Sequence, residues 1–534
     1  MPFYLLHIGQ ALWKLSTMGN LTTVSLPALS PSVSVTDSVP LRGAILAKRL
    51  VLVNAVVPNL MYNPLDGTLG VLNIAGPGAV APTLTTASSG SLTGIYRYRY
   101  TYLILSSGSI QVESPWSDYS LPITVTTGSI NIAAISTSSL SAVNGRNLYR
   151  TANNGAEYYL LATIQNNSAS TFNDSLSDYD LALLGQPIAD LGNAPGFDST
   201  DRLRMIIAWK DRLWASPNNN KDLLYYSGLG KPHAWSPYNY FSIKPLGVDE
   251  FGVTGLLGRR DELVINKRRA VWKLVGTDAT DFQLIQVAEG PGQESFDTGL
   301  VVRDVCYWLG ENAFWSYGPD GITNLSRDQV HPWFATDEFF NRSRFRYAFA
   351  KYDPSSDTIT IHLAAAGSNV ENRWVSYDIR QGIWLGPHKT DVCTPTCAAT
   401  VENSAGSLIP VVGSSSGSLY WDGGWPAHDD GQAIDFEVVT KFYSGQAPDR
   451  DHYWGELSML SKVQTGGTLS IVPYVGGLDT TAGATISHDL TTGRERLCRL
   501  GVGRLCALKF KENTVDQQVE IYGFEVPVQE LGRR

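Results

Sequence analysis

A short apolar strand, a polar turn and a second strand carrying Tyr or Trp recur six times along this chain of 534 residues. Such a unit cannot bury its own apolar face, so repeated copies must stack on one another, and this constrains the fold more than any composition figure. The first copy runs through Leu50-Val51-Leu52-Val53 to Leu60-Met61-Tyr62 and the turn Asp66-Gly67. The second has Asp211-Arg212-Leu213-Trp214 with Leu224-Tyr225-Tyr226, and the third Leu263-Val264-Ile265 with Val271-Trp272. The fourth pairs Val305-Cys306-Tyr307-Trp308 with Phe314-Trp315-Ser316-Tyr317, the fifth Ile359-Thr360-Ile361 with Trp374-Val375-Ser376-Tyr377, and the sixth Leu408-Ile409 with Leu419-Tyr420-Trp421.

With Leu213, Leu263, Val305, Ile359 and Leu408 as equivalent points, the spacings are 50, 42, 54 and 49 residues. Propeller blades repeat at roughly 40 to 50 residues. The pattern therefore predicts an all-β chain with a six-bladed β-propeller formed by residues 41–78 and 200–425, after an N-terminal extension of residues 1–40. An irregular β-sandwich with strand pairs alike in composition is the competing reading. From Leu50 to Leu213 is 163 residues, so about 110 residues are inserted after the first blade.

The insertion, residues 80–190, carries its own strand signals. Ile95 to Tyr102 alternates strictly and sets Tyr96, Tyr98, Tyr100 and Tyr102 on one face. A hairpin signal follows at Arg146 to Thr151, Asn153-Asn154-Gly155 and Glu157 to Leu161. Several short strands in so short a stretch predict an immunoglobulin-like or fibronectin-like sandwich. Beyond Trp425, residues 426–431 read as a linker, and residues 432–534 as a C-terminal β-domain with strands at 457–460, 468–472 and 519–526.

Charged residues are only 17% of the chain and the net charge is −9, which argues against gripping DNA or anionic membrane through a basic surface. The N-terminus lacks a basic leader and a clear cleavage site, and no run approaches the ~20 apolar residues that cross a bilayer, so a soluble protein is expected. Five cysteines, Cys306, Cys393, Cys397, Cys498 and Cys506, are too sparse for a disulfide framework and are expected to be reduced. Cys393 and Cys397 could supply two metal ligands, but no His pair stands at zinc spacing.

No phosphate loop, nucleophile elbow or His-Glu-x-x-His occurs. Paired acids could serve a glycosidase, the candidates being Asp249 with Glu250, Asp261 with Glu262, and Asp429 with Asp430. In a strand such neighbours point to opposite faces, so solvated turn residues are the plainer reading. His428, Asp429, Asp430, Asp449, Asp451 and His452 form a loose polar group that could hold a divalent cation but has no set geometry. Basic residues gather at Arg494, Arg496, Arg499, Arg504, Lys509 and Lys511, and at Arg259-Arg260 and Lys267-Arg268-Arg269. A solvated sheet face or a salt-bridged subunit surface explains them better than a phosphate or nucleic-acid site. No catalytic, cofactor-binding or metal-binding residue is assigned, and no cofactor is expected.

In Asp211-Arg212-Leu213-Trp214, Leu224-Tyr225-Tyr226-Ser227-Gly228, His233-Ala234-Trp235, Ile265-Asn266-Lys267-Arg268-Arg269-Ala270-Val271-Trp272 and Ser316-Tyr317-Gly318-Pro319-Asp320-Gly321, the chain resembles the tail nozzle proteins of short-tailed bacteriophages. These are also called tail tubular or tail-stabilising proteins. The resemblance covers the pattern of residues 40–430 and implies a non-enzymatic structural protein of the virion tail, assembled in the bacterial host cytoplasm. It further implies a homohexameric ring meeting a tail adaptor and tail fibre or needle proteins, through which the genome is ejected without specific DNA binding. The insertion and the C-terminal domain have no match to that family residue by residue. The alternative is a host-receptor or glycan-binding module of a tail tip or fibre, with Trp235, Trp374, Trp384 and Trp425 as the stacking candidates, and a propeller glycosidase is the third reading.

Overall fold

The structure is a computed structural model that describes residues 3–8, 11–16, 21–24, 39–64, 67–106, 108–184, 197, 201–244, 252–389, 392–421, 428–445, 449–477, 482–515 and 519–531. Antiparallel sheets dominate it, in two compact units: Met1–Lys389 with Thr394–Asp422, and Thr390–Cys393 with Gly423–Arg534. Among the described residues no helix is long and apolar enough to cross a membrane.

The first unit contains a six-bladed propeller. Blade 1 is Arg42–Leu46, Arg49–Val53, Leu60–Asn63 and Thr68–Val71; blade 2 is Leu203–Trp209, Arg212–Pro217, Leu223–Tyr226 and Tyr240–Ser242. Blade 3 is Val253–Gly258, Glu262–Lys267, Ala270–Val275 and Gln283–Glu289; blade 4 is Leu300–Val302, Val305–Leu309, Phe314–Gly318 and Gly321–Asn324. Blade 5 is Phe349–Asp353, Thr358–Leu363, Arg373–Asp378 and Ile383–His388, and blade 6 has three strands among the described residues, Pro395–Glu402, Leu408–Ser414 and Leu419–Trp421. Leu50, Leu213, Leu263, Val305, Ile359 and Leu408 all fall on the second strand of their blades, so the repeat in the sequence is the repeat in the fold.

The first hairpin of a blade explains part of that repeat. Ala47-Lys48, Lys210-Asp211 and Arg303-Asp304 hold φ values of 48° and 60°, 49° and 52°, and 48° and 65°. Two successive left-handed residues make the tight loop whose twist matches that of the strands it joins. First strands of neighbouring blades then pack in chain order around the axis, each against the next from Arg42–Leu46 to Pro395–Glu402.

Residues 1–40 do more than extend the chain. Phe3–Ile8, Ala11–Ser16 and Leu21–Val24 form a three-stranded meander. Its Tyr4 hydroxyl accepts from the Glu402 amide of blade 6, Ile8 packs on Gly417, and buried Leu12 joins the cluster containing Leu52 and Leu60 of blade 1. The meander thus links the last blade to the first.

The insertion is a sandwich of a four-stranded sheet, in the order Ser109–Glu113, Tyr98–Ser106, Gly145–Thr151, Tyr158–Ile164, and a three-stranded sheet, Phe172–Asp174, Ile123–Ala133, Thr83–Tyr96. The four alternating tyrosines all point inward and are buried. Tyr98 donates to Asp174 at 2.7 Å, while Tyr100 and Tyr102 each meet Ser136 Oγ at 2.7 Å. This core runs without a break into Leu52, Leu60, Tyr62, Leu69 and Val71 of blade 1, so the sandwich covers a blade face rather than standing apart.

One strand-like segment of the insertion is built by serines. Ser114, Ser117 and Ser120 stand three residues apart, and each amide donates to the carbonyl of Tyr102, Tyr100 or Tyr98 in turn (3.0, 2.8 and 2.9 Å). Each serine Oγ also accepts from the amide of that same tyrosine (2.8, 3.1 and 2.9 Å). Every backbone group at this edge is thereby satisfied, and Trp116 and Tyr119 are left between the serines.

The second unit is a sandwich of its own. One sheet is ordered Phe436–Val439, Leu505–Glu512, Thr468–Gly476, Ile486–Asp489; the other is Arg494–Gly503, His452–Ser461, Ile521–Glu525, with Val528–Glu530 also pairing His452–Ser461. Leu457, Met459, Leu469, Ile471, Leu508 and Phe510 fill it.

Candidate functional site

The basic residues singled out in the propeller are structural. Lys210 of blade 2 faces Asp261 of blade 3 at 3.8 Å, Arg259 of blade 3 meets Asp304 of blade 4 at 3.2 Å, and Arg303 of blade 4 meets Asp357 of blade 5 at 3.0 Å. The donors and acceptors lie in or beside the first turns, so one turn is tied to the next around the ring. Lys267 reaches back to Asp222 of blade 2 at 2.8 Å, and Arg269 forward to Glu311 of blade 4 at 3.0 Å. Arg259 also pairs with Glu262 and lies over Tyr317, 5.3 Å from its centroid. In the second unit Arg499 faces Glu456, Arg504 faces Asp451 and Lys509 pairs with Glu437 at 2.6 Å. These are cross-strand and inter-blade ion pairs, whereas Arg260, Arg494, Arg496 and Lys511 make none among the described residues.

The acids, cysteines and aromatics sort in a similar way. Asp261 is 84% exposed at its side chain, whereas Glu262 is held between Arg259 and Lys273, so the pair does not converge on one point. Asp249, Glu250 and Trp425 lie outside the described residues, as do the side chains of His428 and Asp429. Asp430 is exposed on a left-handed turn and His452 is buried, and among the described residues no group of three His, Cys, Asp or Glu is placed to hold a metal ion. Cys306, Cys397, Cys498 and Cys506 are free thiols; Cys306 and Cys506 are buried, and burial pushes Cys306 up to about 12. Trp235 is fully buried beside Phe197, and Trp384 packs on Phe334 and Tyr377, so neither can stack on a sugar. Trp374 is taken up in a row that crosses blade 5, Phe349, His362, Trp374 and His388, with neighbouring ring centroids 4.7, 5.9 and 5.9 Å apart.

That row gives the propeller a pH limit. Both ring nitrogens of His362 are buried without a hydrogen-bond partner, and burial, reinforced by Lys351, pulls its pKa down to about 3. Burial likewise pulls His233 down to about 4, with Lys231 and Arg49 adding to the effect, and lowers His388. An unfolded histidine takes up its proton near pH 6.5 while the folded ones do not. Stability is therefore complete above about 6.5 and falls as pH drops below it, by roughly 2 kcal/mol at pH 5 for each of the two most shifted residues. Urea midpoints between pH 7.5 and 5 measure this, and His362→Phe, which keeps the stack, should flatten the slope. An unchanged slope in that variant would remove His362 from the account.

The axis of the propeller is spanned at one end. Arg42, at the start of blade 1, makes a two-pronged pair with Asp297 (3.1 and 2.8 Å) in the short helical turn Phe296–Thr298 that precedes blade 4. It lies over Phe296 at 4.9 Å and donates to the Arg204 carbonyl of blade 2 at 3.2 Å. Arg204 in turn reaches the Val253 carbonyl of blade 3, and Ser295 Oγ donates to Ala348 O ahead of blade 5 at 2.7 Å. Five blades are thus clasped where their first strands begin.

One constellation was not legible beforehand. In the second unit Ser461 Oγ lies 2.9 Å from His488 Nε2, and His488 Nδ1 lies 2.7 Å from Glu495. The order is that of a hydrolytic triad. However, His488 is fully buried, Ser461 is 3% exposed, and the Ser461 amide already donates to the Gly493 carbonyl. With no approach for a substrate and no amide free beside the serine, the trio acts as a brace joining three strands across the two sheets.

The same unit exposes an apolar edge. Phe436–Val439 pairs with Leu505–Glu512 on one side, and among the described residues no strand pairs with its other side. Val438, Val439 and Phe442 along this edge are 46%, 52% and 50% exposed. Apolar side chains on an unpaired edge are what soluble chains avoid unless something covers them.

Comparison with known proteins adds little. No family model and no curated protein matches the chain. Among solved structures it is similar to the β-propeller domain of Cps50 (Swd1) from Myceliophteria thermophila, with 6% identity and a TM-score of 0.30, over 79% of this chain and 100% of that one. At that score the likeness carries no weight, and the six-bladed assignment rests on strand order.

Proposed function

We propose that this chain is a non-enzymatic, ring-forming component of a short bacteriophage tail, a nozzle subunit through whose ring the genome leaves the virion. The observation that carries the reading is the apolar unpaired edge of residues 436–442, a surface suited to a neighbouring copy. The sequence resemblance supplies the family and the number six. The Arg42–Asp297 clasp is consistent with it, because it leaves the conduit to be formed between subunits rather than through one propeller. A net charge of −9, with many propeller cations already paired, suits a lumen that does not retain DNA.

Negative-stain imaging and light scattering of the purified chain, alone and with a phage tail adaptor, test the proposal. Rings with an axial hole are expected, and Val439→Lys should prevent them without changing the melting temperature by more than about 2 °C. A closed trimer, a monomer under both conditions, or salt-dependent duplex binding at about micromolar concentration would refute it.

A further inference from the structure

The outward face of the inserted sandwich carries a second surface. Along Tyr98–Ser106 and the residues before it, the tyrosines turn inward and Arg97 and Arg99 outward. Opposite them the serine-built segment presents Trp116 and Tyr119. The Arg99 guanidinium sits 4.8 Å from the Trp116 ring centroid, 5.4 Å from Tyr119 and 5.1 Å from Tyr158, and Arg97 sits 5.7 Å from Tyr119. Aromatic and guanidinium planes therefore alternate along a ladder. It forms the floor of an open cleft of about 390 Å³, which Tyr238 of blade 2 and Glu157 complete, and which shares Arg97 and Ala156 with a second hollow of about 250 Å³ bearing Thr151 and Asn154.

Three features point to a ligand rather than to packing alone. Tyr119 and Tyr238 are 53% and 72% exposed, too open to serve a core. Neither Arg97 nor Arg99 has a carboxylate partner among the described residues, and Arg99 Nε is buried with no acceptor. The single acid in the cleft, Glu157, leaves one net positive charge, which favours a mono-anion over a dianion such as a phosphate.

We propose that this cleft binds an acidic glycan, a carboxylate-bearing pyranose within a short oligosaccharide. Arg97 takes the carboxylate in a forked pair. The exposed ring faces of Tyr119 and Tyr238 carry negative charge and meet the C–H face of the sugar. Glu157 accepts from its hydroxyls, and the exposed Asn154 accepts from or donates to them. The inference is independent of the ring reading, since it concerns a different surface and holds for an isolated chain.

Calorimetric titration of the full chain with a trimeric oligogalacturonate, beside the neutral galactose trimer, decides it. Binding of the acidic sugar alone is expected, weakened roughly tenfold or more by Arg97→Gln and by Tyr119→Ala. Both positions are exposed, so the melting temperature should stay within about 2 °C of the parent. Protection of the Trp116 fluorescence from an added quencher by the acidic sugar gives a second readout. Equal affinity for the neutral sugar, tighter binding of a phosphotyrosine peptide, or no binding of either sugar at about 10 mM would overturn the proposal.

Discussion

Arg150→Met is expected to destabilise the inserted sandwich by about 3–5 kcal/mol. Arg150 and Asp174 are both fully buried and pair at 2.7 Å; the same guanidinium donates to the Leu176 carbonyl and to Asp178 at 2.7 and 2.9 Å and lies over Tyr96 at 5.0 Å. Tyr98 donates to the same Asp174 carboxylate, and burial followed by that negative charge holds its phenol well above its ordinary range. Removing the arginine would leave a buried carboxylate with two neutral donors, the Tyr98 hydroxyl and the Leu176 amide, and no cation. The double variant Arg150→Met with Asp174→Leu should recover much of the loss, because an apolar pair of similar volume needs no desolvation. Denaturant titration followed by circular dichroism measures both. A single-variant loss below about 1 kcal/mol would mean that water reaches Asp174.

Trp214→Ala should cost about 3–5 kcal/mol for a different reason, the hole it leaves between blades 2 and 3. The indole is fully buried, with ring centroids of Tyr226, Phe282, Trp209 and Phe241 at 4.9, 5.2, 5.8 and 6.3 Å, and its Nε1 donates to the Trp209 carbonyl at 3.0 Å. Phe282 belongs to the next blade, so the cavity opens at a joint. Trp214→Phe keeps most of the contact and should cost less than half as much. Thermal melts distinguish the two, and equal losses would indicate that the hydrogen bond, not the volume, is what matters.

The propeller was legible because its signal is local. The second strands bearing Leu213, Leu263 and Ile359 each announce themselves within a few residues, and their spacing measures a blade. The partners of Arg259, Lys267 and Arg303 were not legible, since Asp304, Asp222 and Asp357 come beside them only once the ring is closed. Trp235 and Trp384 read from sequence more readily as blade core than as platform, and their burial bears that out. For the cleft, the residues stand in the sequence, serines at 114, 117 and 120 with Trp116 and Tyr119 between them, beside arginines alternating with tyrosines. What hid it was the direction of the side chains, which depends on a strand pairing that serine hydroxyls make.

Closure of the ring also sets a clock on synthesis. The Tyr4–Glu402 contact joins residues 398 apart and the Arg42–Asp297 clasp joins residues 255 apart. Contacts of such sequence separation are slow to form, because the loop between them must be ordered first. At about 5–20 residues per second, blade 1 waits roughly 20–70 s on the ribosome before blade 6 exists to complete its neighbourhood. During that interval the N-terminal meander has no Glu402 to meet, and its strands are open to any other chain. Yield of the intact chain should therefore depend on chaperone supply and on temperature more steeply than the stability of the finished protein would suggest.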